Sequence, residues 1–166
     1  MRLPPALLVL LVACSGAPPP ATPATPTGAA SAAAPADDTP AGRCLATAGA
    51  KRSRKPDEPL KIGAKHVLVK YAGAKKARPN ILRSREDACL RAQEAREKLA
   101  EGMSFAEVVS LYSEEPGATT REGSLGTVER SHVVPAFADA AFELKAGEVS
   151  HVVETDFGFH VIMRTE

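Results

Sequence analysis

Of the 14 prolines in this 166-residue chain, only Pro79, Pro116 and Pro135 lie beyond residue 60. Proline fixes φ and offers no amide proton to a helix or a sheet ladder, so regular structure is concentrated in the last hundred residues. From Ser15 to about Pro59 the chain is Ala, Pro, Thr and Gly with few large apolar side chains. Such a stretch cannot bury enough surface to offset its ordering entropy, and residues 14–60 are expected as a disordered tether with polyproline character. Where extended, at roughly 3 Å per residue, it would reach on the order of 100 Å. Residues 61–166 are long enough for one independently stable domain. The net charge of +1 gives no global pull toward nucleic acid, and no such partner is expected. No GxGxxG, P-loop or paired-CxxC pattern is present, so neither a nucleotide cofactor nor a structural metal is expected.

Ahead of the tether, Met1 to Cys14 carries one basic residue and then about eight apolar ones. That is far short of the roughly 20 needed to cross a bilayer, but it fits the core of a secretory signal over residues 1–13. Leu11 to Cys14 resembles the bacterial lipobox, which implies that Cys14 becomes a lipidated N-terminus. Lipid chains contribute roughly 0.8 kcal/mol per buried CH2, so several would hold the protein on a membrane. In the Gram-negative sorting pattern Ser15, in place of Asp, favours the outer membrane, with the domain facing the periplasm. The alternative is an ordinary signal peptide with a chance cysteine. The basic run Lys51 to Lys55 reads either as solvated linker or as a docking point for anionic lipid.

The folded part is expected to begin with a strand over 64–70, followed by a long loop from Tyr71 to Leu82. Ser84 then starts a helix with Asp87 in the capping position, and Ala88, Ala92, Ala95 and Leu99 form its core-facing stripe. Gly102 stops it. Ser104 and Glu107 make a second capping pair for a short helix through Leu111. Gly123 to Val128 is a glycine-punctuated run leading into a strand. Pro135 opens a third helix bearing Phe137, Ala141 and Leu144, ended by Gly147. Val152 to Arg164 reads as two β-branched runs joined at Asp156 to Gly158, a hairpin. In its second run Phe159, Val161 and Met163 share one face, and His160 and Ile162 the other. If that run neighbours the first strand, His66 and His160 fall on one face of the sheet. The order β-α-α-β-α-β-β is an α+β layout on a small four-stranded antiparallel sheet. Cys44 and Cys89 leave two readings open, a disulfide in an oxidising compartment or a small buried hydrophobe at Cys89.

From about Ile62 onward the chain is similar to the parvulin family of peptidyl-prolyl cis-trans isomerases. The resemblance rests on six segments in family order: His66 to Val69, Phe105 to Ser113, Gly123 to Gly126, Val134 to Phe142, Leu144 to Ser150 and Thr155 to Ile162. It implies an isomerase that assists the folding of exported polypeptides, acting as a monomer. It implies a proline pocket on Leu125, Val133 and Phe137, with Phe157 as a further substrate contact. His66 and His160 match the family's paired histidines, and Thr155 the residue completing their hydrogen-bond network. Glu115 stands where the family carries Asp or Cys, which excludes covalent cysteine chemistry there. Lys70, Lys75, Lys76 and Arg78 occupy the region where phosphate-directed members hold a basic cluster.

Each of these has a plainer reading: core packing for the apolar residues, structural hydrogen bonding for the histidines, and a solvated loop for Glu115 and the cations. His132 and His151 have no family match and are expected to be exposed. The sequence departs from the family at Val133, where a longer apolar residue is usual, and at Thr127 and Val128, where aromatics are usual. A binding module with little isomerase activity therefore stands as the alternative function.

Overall fold

The computed structural model describes residues 38–166. The signal segment, Cys14 and the tether up to residue 37 lie outside the described residues. In chain order the elements are α1 (Pro40–Ala48), β1 (Lys61–Val69), α2 (Arg85–Ala100), α3 (Phe105–Tyr112), β2 (Ser124–Glu129), α4 (Pro135–Glu143), β3 (Val153–Thr155) and β4 (Gly158–Arg164). Two 3-10 turns, Thr119–Arg121 and Arg130–His132, flank β2. The sheet runs β2-β1-β4-β3, with every neighbour antiparallel. This is the α+β order read from the sequence, with one helix added in front. Among the described residues no helix is long and apolar enough to cross a membrane.

The added helix corrects the tether, which was expected to run to residue 60. Thr39 caps α1 by accepting from Gly42 N at 3.0 Å, and Pro40 sits in the first turn, where its missing N–H costs nothing. Cys44 and Ala48 are buried, and Cys44 is bonded to Cys89 of α2. The disulfide settles the open reading of the two cysteines, and Cys89 is fully buried as well. Beyond α1 the chain is strapped to the domain: Arg52 pairs with Glu143, Arg54 with Glu58, and Glu58 with Arg130. Lys55 Nζ donates to the Glu143 carbonyl at 2.9 Å. Much of the basic run 51–55 is thus spent on local partners.

The period-2 alternation of β1 and β4 builds a core on each face. Val67, Val69, Phe159 and Val161 meet the alanine stripe of α2 and Phe105, Val108 and Val109 of α3. Ile62, Ala64 and Ile162 meet α4 through Phe137, Ala138 and Ala141. The two-sided cover explains why β4 is buried for most of its length. Ser104 and Glu107 close a complete capping box on α3. Leu144, expected within the third helix, is extended and caps α4 instead.

Gly123 leaves no room for a side chain. Gly123 has φ +74°, and a Cβ there would lie 2.5 Å from the His66 carbonyl oxygen and 2.7 Å from Val109 Cγ2. Its own carbonyl accepts from His66 N at 2.9 Å. Gly123→Ala adds a left-handed penalty of roughly 1–2 kcal/mol to overpacking of roughly 1–3 kcal/mol, so a loss of about 3 kcal/mol is expected in urea unfolding. A loss below about 1 kcal/mol would contradict this packing.

Candidate active site

The register of β1 against β4 places the histidines. His66 lies opposite Ile162 and Leu68 opposite His160, so the two imidazoles are diagonal neighbours on the α4 face. They are 4% and 5% exposed. Their Nδ1 atoms approach to 3.2 Å, with centroids 5.4 Å apart and planes 14° apart. At that nitrogen separation the rings meet edge to edge in nearly one plane, not face to face. Phe137 of α4 stands perpendicular to both, at 5.7 and 5.4 Å between centroids.

The pair sits in a longer hydrogen-bonded chain. At one end Thr155 Oγ1 lies 2.8 Å from His160 Nε2 and accepts from Phe157 N at 3.1 Å. At the other, His66 Nε2 lies 2.8 Å from Glu115 Oε2. Glu115 is brought there by the loop after α3, which takes over the edge of β1 where β2 leaves it. Glu114 N donates to Leu68 O at 2.7 Å, Leu68 N to Ser113 Oγ at 3.2 Å, and Lys70 N to Glu114 Oε2 at 2.7 Å. Arg83 Nη1 donates to both Glu114 oxygens, at 2.6 and 2.7 Å, which fixes that loop.

Because the two Nδ1 atoms face each other, one donates and the other accepts. With both rings neutral and the Glu115 carboxylate accepting from His66 Nε2–H, Thr155 Oγ1 donates to His160 Nε2 at 2.8 Å rather than to Gly158 O at 3.5 Å. His160 then carries its proton on Nδ1, His66 carries its own on Nε2, and Glu115 accepts as a carboxylate. Proton direction in the chain is therefore single-valued while both rings are neutral.

Burial, with the neighbouring His66 and Lys70 adding to it, pushes His160 well below the ordinary histidine range. The hydrogen bond from His66 holds Glu115 below the usual carboxylate range, against burial and with help from Arg121 and Lys70. The two depressions act in different pH windows. An unfolded chain protonates His160 as pH falls below about 6.5, while the folded chain does not, so stability drops there with a slope approaching about 1.4 kcal/mol per pH unit. Glu115 contributes above the ordinary carboxylate range, and its share is lost only as pH falls through its lower folded value. Between pH 7.5 and 5.5 the wild type is expected to lose about 1 kcal/mol more, in urea titrations, than His160→Gln. Equal losses would mean that the ring takes up its proton when folded.

The apolar residues expected around the site are brought together in part. Leu125 and Val133, both partly buried, pack against the cluster that holds Phe137, itself 3% exposed. Leu125 is the extra residue of a β-bulge: Gly126 opposes Ala64 and Ser124 opposes Lys65. Bulges re-aim a side chain in this way beside functional sites. Phe157 is not packed into that cluster. It lies in the β3–β4 turn with Lys75, Lys70 and Lys76 at 5.1, 5.9 and 5.9 Å from its ring centroid. The four expected cations separate. Lys70 is buried, bonding the carbonyls of Lys75 and Phe157, and burial pushes its ammonium down. Lys75 and Lys76 are exposed, and Arg78 lines a different depression with Ile81, Glu115 and Pro116. Among the described residues no group of His, Cys, Asp and Glu is placed to hold a metal. His132 and His151 are exposed, as expected.

Two further participants owe their roles to the fold and not to any local sequence pattern. Ser113 supports β1 through its hydroxyl, and Arg121 donates from Nη2 to Glu115 Oε2 at 2.8 Å.

Residues 66–166 match the family model of the rotamase, or PPIC-type PPIase, domain. The chain belongs to the PPIC-type PPIase family. It is 36% identical over 106 residues to the foldase protein PrsA of a Geobacillus species, covering 64% of this chain and 32% of that one. It is also 36% identical over 108 residues to the peptidyl-prolyl cis-trans isomerase pin1 of Schizosaccharomyces pombe, over 63% of this chain and 62% of that. The solved structure of the peptidyl-prolyl isomerase ESS1 from Candida albicans superposes with a TM-score of 0.59 at 27% identity, covering 69% of this chain and 66% of that one. The chain spans about a third of the length of the PrsA relatives it matches.

Proposed function

We propose that residues 61–166 form a peptidyl-prolyl cis-trans isomerase acting on unfolded exported polypeptides, and that the protein is a monomer held on the cell envelope by a lipid on Cys14. The observation that carries the catalytic part is the His66–His160 pair set edge-on against Phe137, in a chain of this family. An Xaa-Pro bond isomerises slowly because rotation breaks amide resonance, a barrier of roughly 18–20 kcal/mol. No covalent bond is exchanged, so the site has to hold the proline ring, exclude water and favour the twisted amide. Leu125 and Val133 supply the accessible apolar wall, and Phe137 is its buried floor. The Thr155–His160–His66–Glu115 chain supplies a fixed polarity beside it. The histidines orient the site and shuttle no protons, because isomerisation needs no net proton transfer.

Lys75 and Lys76 around Phe157 support a preference for an acidic residue before proline. Lysine attracts an anion as a point charge, without arginine's bidentate geometry. The deciding experiment is NMR exchange spectroscopy on short peptides with Glu, phospho-Ser or Leu before proline, with the full chain added in substoichiometric amount. Accelerated exchange, lost in His66→Ala, is expected; equal rates for the three peptides would remove the acidic preference, and no acceleration for any would end the isomerase reading. The short side chain of Val133 favours a second reading, a chaperone-type module that binds without turnover. Holdase activity toward an unfolded client without exchange catalysis would select it. For the anchor, incorporation of labelled palmitate that disappears in Cys14→Ala, with release from outer-membrane fractions, is the expected result.

A further inference from the structure

The carboxylate at the end of the histidine chain has a second partner, and this one is a permanent cation. Arg121 Nη2 and His66 Nε2 both reach the same oxygen, Glu115 Oε2, each at 2.8 Å. Arg121 is itself tied to the loop it spans: Nε donates to Ser124 O at 3.2 Å and Nη1 to Pro116 O at 3.4 Å. It therefore bridges Glu115 to the start of β2, one residue before Leu125. With Arg121 in place, the charge of Glu115 is balanced by a permanent cation, and His66 need only donate a neutral N–H.

We propose that Arg121 is a positioning residue that fixes the proton direction of the whole Thr155–His160–His66–Glu115 chain by keeping His66 neutral. This rests on the isomerase reading for its kinetic consequence, though its structural part does not.

The chain has two self-consistent arrangements of protons. In the neutral one, Thr155 donates to His160 Nε2, His160 Nδ1–H to His66 Nδ1, and His66 Nε2–H to Glu115. If His66 carries two protons, its Nδ1–H points at His160, whose Nδ1 must then accept. The proton of His160 moves to Nε2, and Thr155 has to turn its hydroxyl to Gly158 O, the longer contact at 3.5 Å. One added proton at His66 thus reverses every bond as far as Thr155.

The charged and titratable groups around His66 are few. Glu115 faces Nε2 and His160 faces Nδ1. From α4 the neighbour is the apolar edge of Phe137. Lys70 acts on both Glu115 and His160 from the end of β1. Removing Arg121 leaves His66 as the one hydrogen-bond partner of the Glu115 side chain among the described residues. A half-buried carboxylate whose one remaining partner is an imidazole draws a second proton onto that ring.

Nitrogen-15 correlation spectra of the histidine rings in the resting full-length protein read this directly. At pH 7 the wild type should show His66 protonated on Nε2 and His160 on Nδ1. Arg121→Gln should show both His66 nitrogens protonated and His160 switched to Nε2–H, while Arg121→Lys, which keeps the charge but not the carbonyl bonds, should retain the wild-type pattern. On Xaa-Pro peptides Arg121→Gln should lower kcat roughly tenfold, equivalent to about 1.4 kcal/mol, with KM within about twofold. A purely structural Arg121 would disturb Leu125 and raise KM in both variants without changing the ring patterns. Unchanged rings in Arg121→Gln, identical behaviour of Gln and Lys, or a wild type already doubly protonated at His66 would each overturn the proposal. The ring spectra stand whether or not the peptides are turned over, so a failed isomerase assay is a separate result.

Discussion

Phe137→Ala is expected to cost the domain about 3–5 kcal/mol, the range for deleting a buried phenylalanine. The ring is 3% exposed and closes the α4 side of the cluster that also holds Ile62, Ile162 and Val153. It adds two perpendicular contacts with the imidazoles, of a kind worth about 0.5–1.5 kcal/mol each beyond area burial. Truncation would leave two polar rings facing a cavity, so the loss belongs in the upper half of that range. Urea unfolding should show a lower midpoint with an unchanged slope. Because this variant sits near the limit of a domain's total stability, Phe137→Leu is the one for turnover. It keeps volume but loses the flat face, and kcat/KM on Xaa-Pro peptides should fall by roughly tenfold, about 1.4 kcal/mol of transition-state stabilisation. Undiminished turnover in Phe137→Leu would remove the ring from the proposed site.

The second large effect lies away from the site. Cys44→Ala should lower stability by on the order of 4 kcal/mol in the chain-entropy treatment, because the bond closes a loop across a sequence separation of 45. That loop contains the strap and all of β1. Cys89 would remain a small buried side chain on α2, so the core should tolerate the change. Wild type under dithiothreitol should behave like Cys44→Ala, and the sheet signature in circular dichroism should persist at low denaturant. A loss below about 1 kcal/mol would mean that α1 is held by its packing and the ion pairs of the strap alone.

Much of the site was legible because it depends on period and register. The alternation of Phe159, His160, Val161 and Ile162 put His160 on a definite face, and antiparallel pairing with β1 put His66 on the same one. The capping pair at Ser104 and Glu107 likewise reads straight into α3. What escaped were features decided between elements. The α1 signature, Thr39 followed by Pro40, was present, but it lay in a stretch whose composition argued for disorder. Its helix is held by a partner 45 residues away. Leu125 owes its orientation to a bulge, which no single strand reveals. Lys70 sits where a loop lysine would be solvated, yet two carbonyls draw it inward. Arg121 acts across a loop whose path the local sequence does not dictate.

The bond between α1 and α2 sets a condition on the protein's own maturation. Two thiols must give up their electrons to an acceptor outside the chain before the front of the molecule is locked in place. Made where thiol reductants prevail, the same polypeptide would keep its sheet but lack the covalent latch on its leading helix. Under the proposed function, a helper of newly exported chains would then itself be a client, of whatever oxidises cysteines on arrival.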